Sequence, residues 1–322
     1  MNTWLRCTLA ATAVALSPYS VPEANAVDSS ALREAVTLNG VRTHQLALQQ
    51  IADENGGNRA DGTPGFDATL VYVVSQLEGV GYAVELEPVG TTFNVIAETG
   101  AGADRLVIVG AHLDSVPSGP GIQDNGSGSG ALLEIALQMA ALGIEPVNRV
   151  RLAWWAAEES TGNGVRTHVM GLSPEERAAA LYINLEMLGS PNGIRFVYDG
   201  DGSDFSTVNP AGSEKIEQVF LEHFAAEGLP TAPTDFSEHS ALPEFRTAGI
   251  PVGGLFGGGF GIKTEAEAAV FGGVAGEQYD VCHHLACDTS DNILLNLLDE
   301  FSDAAAHAVL YFAQTTVLSQ GF

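Results

Sequence analysis

The sequence predicts an α/β fold, a mostly parallel mixed central sheet with helices on both faces, in a single domain. Three observations predict it. Apolar runs of strand length alternate with segments of helical spacing along most of the chain. One run, LVIVGA at 106–111, is apolar without a break, as expected of a strand buried on both faces. The chain has 322 residues, 45% of them hydrophobic, enough for a core covered on both sides.

Taken in order, 41–54 and 66–78 have helical apolar spacing, and Asn55-Gly56-Gly57 stops the first. Segments 82–89 and 92–98 read as a strand pair joined by a tight turn at Gly90. The strand at 106–111 is followed by a Gly/Ser-rich loop and then an apolar helix at 131–142. Further strands are expected at 149–157, 181–187 and 251–256, and further helices at 214–227 and from about 293 to 318. No repeat, low-complexity tract or interdomain linker breaks the pattern.

Charge and cysteine usage narrow the function classes. Forty acidic residues against 13 basic ones give a net charge of −27, and only Lys215 and Lys263 are lysines. Such a surface repels phosphate backbones and anionic lipid, which argues against nucleic-acid and membrane partners. The first residues, through Arg6, are followed by an apolar run at 7–16, too short to span a bilayer, and by Ala24-Asn25-Ala26, a small-x-small cleavage pattern. Residues 1–26 are therefore expected to be a signal peptide and 27–322 the mature domain, secreted to an extracellular or periplasmic compartment. Cleavage would remove Cys7 and leave Cys282 and Cys287, which in an oxidising compartment can form a short-loop disulfide around His283 and His284. A Cys-Cys-His-His zinc finger would need a further ligand pair, and none is visible at suitable spacing.

Ligands of parallel sheets gather beyond the carboxyl ends of the strands. The strand at 106–111 runs into His112-Leu113-Asp114, the next into Glu158-Glu159, and the third carries Glu186 near its end. Three strand ends thus deliver metal-type ligands to one edge of the sheet. His112 can offer one ring nitrogen to a metal while Asp114 takes the other N–H. The segment 119–130 lacks both the Lys-Ser/Thr ending of a phosphate loop and the glycine spacing of a dinucleotide fingerprint. Its glycines instead let the backbone wrap closely so that Asp124 can bridge two ions. Two adjacent acids, Glu158 and Glu159, after the apolar Trp154-Trp155 strand need compensation; a metal on one of them supplies it and leaves the other to act as general base.

With these residues assembled, the chain resembles the secreted bacterial double-zinc aminopeptidases, the group that includes the Streptomyces griseus enzyme. The resemblance runs from Asn55-Gly56-Gly57-Asn58-Arg59 to His307. Its strongest blocks are GAHLDSVPSGPGIQDNGSGSGALLE (110–134), RLAWWAAEE (151–159), NLEMLGSPN (184–192), IPVGGLF (250–256) and CHHLACDTSDNI (282–293). It implies two zinc ions bridged by Asp124, one completed by His112 and Glu186, the other by Glu159 and His284. It implies Glu158 as catalytic base and acid, Asp114 as the partner of His112, and a Cys282–Cys287 disulfide. Met187 and Phe256 fall where the family lines its pocket for the first side chain, so apolar N-terminal residues of peptides or proteins are the expected substrates of a monomeric enzyme. Asp299 and Asp303 match acids of a calcium site in this group, whose N-terminal part is not recognisable here. Three departures stand out. Glu186 replaces the usual Asp. His283 replaces a tyrosine thought to polarise the scissile carbonyl, a task an imidazole N–H can also perform. Phe236-Ser237-Glu238-His239 replaces Arg-Ser-Asp-His.

Overall fold

The computed structural model describes residues 27–102, 105–236 and 242–315. The proposed signal peptide and Ser237–His239 lie outside them. Eight strands form one mixed sheet: β1 (Val84–Val89), β2 (Thr92–Thr99), β3 (Leu106–His112), β4 (Arg149–Trp155), β5 (Ala180–Glu186), β6 (Phe196–Tyr198), β7 (Ala232–Thr234) and β8 (Val252–Phe256), in the spatial order β1-β2-β4-β3-β5-β8-β6-β7. The four central strands, β4, β3, β5 and β8, are parallel. The β1–β2 hairpin pairs antiparallel with β4 on one side, and β6 pairs antiparallel with β8 on the other.

Alternation along β3 explains its unbroken apolar run. Val107, Val109 and Ala111 join the core under the long helices Leu38–Glu54, Pro64–Gly79, Gly126–Ala141 and Leu295–Gln314. Leu106 and Ile108 enter a second core with Trp155, Tyr182 and Phe245 on the opposite face. Gly110 is required between them: a Cβ there would lie 2.3 Å from Trp155 Nε1, whose N–H donates across the strand to the Tyr182 hydroxyl at 3.0 Å.

The expected elements are all present, with shifted ends. The largest shift concerns the Gly/Ser-rich segment, read as loop up to 130 but helical from Gly126. Gly and Ser are poor helix formers, yet Asn125 caps the helix by accepting from Gly128 N–H at 3.0 Å. Gly128 also sits so close to β5 that a Cβ would meet Leu185 O at 2.3 Å. Tertiary packing selects small residues there and overrides their propensity. The strands β6 and β7, three residues each, were not expected. Among the described residues no helix is long and apolar enough to cross a membrane.

Candidate active site

The carboxyl ends of the parallel strands supply the site. His112 ends β3, Glu158 and Glu159 follow β4, Glu186 ends β5 and Phe256 ends β8. Asp124 arrives from the segment before helix Gly126–Ala141, and His283 and His284 from a loop closed by the Cys282–Cys287 disulfide. His112, Asp124, Glu158, Glu159, Glu186, Met187, Phe256, His283 and His284 line one small cavity of about 40 Å³. All nine were singled out from sequence.

Asp124 is the hub. Its Oδ1 lies 3.1 Å from His112 Nε2, and its Oδ2 lies 2.9 Å from His283 Nε2 and 3.2 Å from His284 Nε2. His112 Nε2 is also 3.2 Å from Glu186 Oε1, and His284 Nε2 is 3.0 Å from Glu159 Oε2. The two expected ligand pairs therefore flank Asp124, His112 with Glu186 on one side and Glu159 with His284 on the other. His283 is buried rather than exposed on its loop, and its ring lies 4.0 Å, centroid to centroid, from that of Phe260.

Much of the backbone framing these ligands is bent. Of the four non-glycine residues with positive φ among the described residues, three are site neighbours or members: Ala157 (57°) before Glu158, Met187 (49°) after Glu186, and His284 itself (61°). Such strain is held only where surrounding contacts over-determine it. At Ala157 the restraint is visible: the Asp114 carboxylate accepts from both Glu158 N–H and Glu159 N–H at 3.1 Å. This refines the expected role of Asp114. His112 Nδ1 lies 3.1 Å from the Asp114 main-chain oxygen but 3.8 Å from its carboxylate, which is committed to aiming the two glutamates.

Other supports were not anticipated. The buried Asp288 accepts from Gln123 N–H at 2.7 Å and Asp124 N–H at 3.1 Å, fixing the hub. Arg59, fully buried, donates to Leu113, Pro120 and Gly121 carbonyls and braces the loop between His112 and Asp124. Burial lowers its guanidinium to about 10 against the pull of Asp114, Asp288, Asp124 and Glu159. Glu186 is held by a relay: Trp155 donates to Tyr182 at 3.0 Å, Tyr182 to Asn184 Oδ1 at 2.7 Å, and Asn184 Nδ2 to Glu186 Oε2 at 3.3 Å. Asp288 and Arg59 fall inside quoted sequence blocks, but a lone acid or arginine carries no signal of what it holds.

The donor set suits zinc. Imidazole nitrogens and carboxylate oxygens are its ordinary ligands. Asp124 Oδ2 and Glu159 Oε1 are buried with no hydrogen-bonded partner. His283 Nε2 and His284 Nε2 lie 2.9 and 3.2 Å from Asp124 Oδ2, so nitrogen and oxygen donors converge where a cation could be held. Burial raises Glu158 to about 8, against the pull of His112 and with Glu186, Glu159 and Asp124 adding to the rise. Glu159 is raised to about 7, by burial and then by Asp124. His284 is raised to about 10 by its contacts with Asp124 and Glu159. Crowded carboxylates that resist ionisation in isolation are what a dication relieves.

The calcium expectation is not supported. Asp303 is engaged by Arg33, at 2.8 Å, and by His223, at 3.1 Å, so the guanidinium already compensates its charge. Asp299 is left with burial and the Asp303 charge, both raising its carboxyl.

An α/β fold with this cluster at its parallel strand ends defines a metal-dependent hydrolase. Residues 94–309 match peptidase family M28, and the chain belongs to that family of zinc hydrolases. Leupeptin-inactivating enzyme 1 of Streptomyces exfoliatus is 38% identical over 94% of this chain and 68% of its own length. An aminopeptidase of Pseudomonas aeruginosa is 47% identical over 70% of this chain and 42% of its own, so the chain spans less than half of that relative. Among solved structures, the aminopeptidase of Aneurinibacillus sp. strain AM-1 superposes with a TM-score of 0.68 at 15% identity, covering 88% of this chain and 96% of that one. A Porphyromonas gingivalis glutaminyl cyclase also superposes, with a TM-score of 0.65 at 19% identity, over 85% and 98%. The fold alone therefore does not separate peptidase from cyclase.

Proposed function

We propose that this chain is a secreted, monomeric double-zinc aminopeptidase that removes apolar N-terminal residues from peptides. The observation that carries the reading is the convergence of five metal-type side chains and Glu158 on one cavity walled by Met187 and Phe256. Asp124 would bridge the ions, with His112 and Glu186 completing one site and Glu159 and His284 the other. When bound, two zinc ions acidify a water molecule and polarise the scissile carbonyl.

The chain's own groups do the rest. Glu158 accepts a proton from the attacking water and returns it to the leaving amine, so one water is consumed as the C–N bond breaks. Asp114, holding both N–H groups at Glu158 and Glu159, keeps that carboxylate aimed into the cavity. His283 donates an N–H toward the carbonyl oxygen as it gains charge. Met187 and Phe256 receive the first side chain, and the cavity acids hold the free ammonium group. Residues 1–26 are read as the signal peptide of a secreted enzyme.

A glutaminyl cyclase shares the fold but normally works with one metal, and a binding protein would be expected to lose ligands or Glu158. Metal content and product analysis separate these readings. Two equivalents of zinc and release of a free amino acid from an apolar tripeptide are expected. One equivalent with cyclisation of an N-terminal glutamine, or no zinc at all, would overturn the assignment.

A further inference from the structure

At the amino ends of the parallel strands, away from the zinc cluster, lies a cavity of about 750 Å³, within the size range of small-molecule sites. Arg105 directly precedes β3, Arg177 projects from helix Pro174–Ala179 and Arg246 from helix Leu242–Thr247, and all three line it. The chain carries 40 acidic residues against 13 basic ones, yet no carboxylate lines this wall among the described residues. The local charge is the reverse of the charge of the whole chain.

The hydrogen bonds show how little of that charge is spent. Elsewhere acids take up the arginines: Arg33 pairs with Asp303, Arg149 and Arg151 with Glu98, and Arg195 with Glu300. Arg177 and Arg246 instead each give one N–H to a main-chain oxygen, of Val169 and Val208 respectively, both at 3.1 Å. Among the described residues neither pairs with a carboxylate. A guanidinium presents five N–H donors in a fixed fork, so most of each fork is left for a ligand. The Arg246 guanidinium also lies 5.7 Å from the Phe236 ring centre, a contact that steadies it without neutralising it. Burial lowers the Arg105 guanidinium, a direction that a bound anion reverses. Asn209, on the same wall, donates its amide N–H groups to the Asp199 and Gly200 carbonyls at 2.8 and 3.2 Å. Its Oδ1 is buried and accepts from no donor.

We propose that this cavity binds a short acidic peptide segment, its carboxylates held by Arg105, Arg177 and Arg246. A carboxylate matches the guanidinium fork in geometry as well as charge. Three guanidiniums carried by three separate parts of the chain call for more than one carboxylate, and a single small oxyanion would leave most of the volume empty. The alanines and prolines between the arginines suit the carbon skeleton of a peptide, and a peptide N–H is the donor that Asn209 Oδ1 lacks. The remaining acids of the chain oppose such a ligand only at a distance. At physiological ionic strength their field is screened within about 8 Å, so the arginines that touch the ligand decide.

The test is calorimetry on the zinc-loaded full chain at physiological ionic strength, with N-acetyl-triglutamate as the probe. The acetyl group removes the free amine that the zinc site is proposed to need. One peptide per chain is expected, with a dissociation constant of about 10⁻³ M or tighter. N-acetyl-trialanine, of the same length but without the side-chain carboxylates, should bind at least ~10-fold more weakly. Arg177→Ala and Arg246→Ala should each weaken binding of the acidic peptide at least ~10-fold, with circular dichroism confirming that both variants are folded. Saturating peptide should leave hydrolysis of leucyl p-nitroanilide within about two-fold. Absence of heat up to about 10⁻² M peptide would overturn the site, as would equal affinity for the trialanine peptide or wild-type affinity in either folded variant. Competitive inhibition would place the peptide at the zinc centre instead, and equal affinity for inorganic phosphate would reduce the cavity to a bare oxyanion site; either result contradicts the proposal.

Discussion

The two ends of the parallel strands carry very different cavities. At the carboxyl ends lies the space of about 40 Å³ lined by three imidazoles and four carboxylates. At the amino ends, where β3, β5 and β8 begin, a cavity of about 750 Å³ is lined by Arg105, Arg177 and Arg246 with alanines and prolines. No histidine, cysteine or carboxylate lines the larger cavity among the described residues. The smaller one brings the proposed base Glu158 beside convergent metal-type side chains, aimed by Asp114, Asp288 and Asn184. Chemistry in this fold follows donor convergence and the support behind it, not volume.

That contrast can be broken first at Glu158. Glu158→Gln should keep both zinc ions and lower kcat by about 10³-fold, within the usual range for a lost general base. Metal analysis and steady-state kinetics check it, and near-normal turnover would remove Glu158 from the mechanism. Chelation should abolish activity, lower the thermal midpoint by mass action, and be reversed by zinc.

Zinc uptake should also release protons. Burial opposes protonation of His112 but Glu186 and Glu158 outweigh it and raise its pKa, and His284 is raised to about 10, so without metal both imidazoles are shifted toward the protonated form. Each must shed its proton to ligate, and zinc affinity therefore rises with pH. Calorimetry in buffers of different ionisation enthalpy should show at least one proton released per chain. A buffer-independent heat would contradict the protonation assigned to these two residues.

Smaller effects sharpen the picture. His283→Ala should reduce kcat about 10-fold, while His283→Tyr preserves or raises it; identical rates in all three forms would assign His283 to structure alone. Glu186→Asp should retain two metals and change KM more than stability, since Asn184 holds the longer side chain in place. Loss of one ion in that variant would mean that Glu186 and its relay are matched to each other. At the amino ends, Arg177→Ala and Arg246→Ala should leave kcat/KM within about two-fold, as surface changes away from the chemistry usually do.

What the sequence made legible follows from how each signal is encoded. The buried strands announced themselves through apolar runs, and the rule that ligands sit at carboxyl strand ends then brought His112, Glu158, Glu159 and Glu186 together. Helix Gly126–Ala141 was read as starting late, because its first turn is built of residues that disfavour helices and are chosen for close packing on Leu185. β6 and β7 are too short to show a period. The burial of His283 left no trace in the sequence, because only the folded chain lays Phe260 against it. Asp114 was linked to His112, whose Nδ1 lies 3.8 Å from its carboxylate, but the bonds that carboxylate accepts from Glu158 and Glu159 N–H, 44 and 45 positions away, were not legible. Roles set by long-range hydrogen bonds leave no local pattern.

The central claim is that this site cuts only beside a free N-terminus and only with metal. Leucyl p-nitroanilide and its N-acetylated form should be compared on the zinc-loaded protein, each with and without chelator. The account predicts hydrolysis of the free-amine substrate alone, lost on chelation and restored by zinc. Comparable cleavage of the blocked substrate, or activity that survives metal removal, would contradict it.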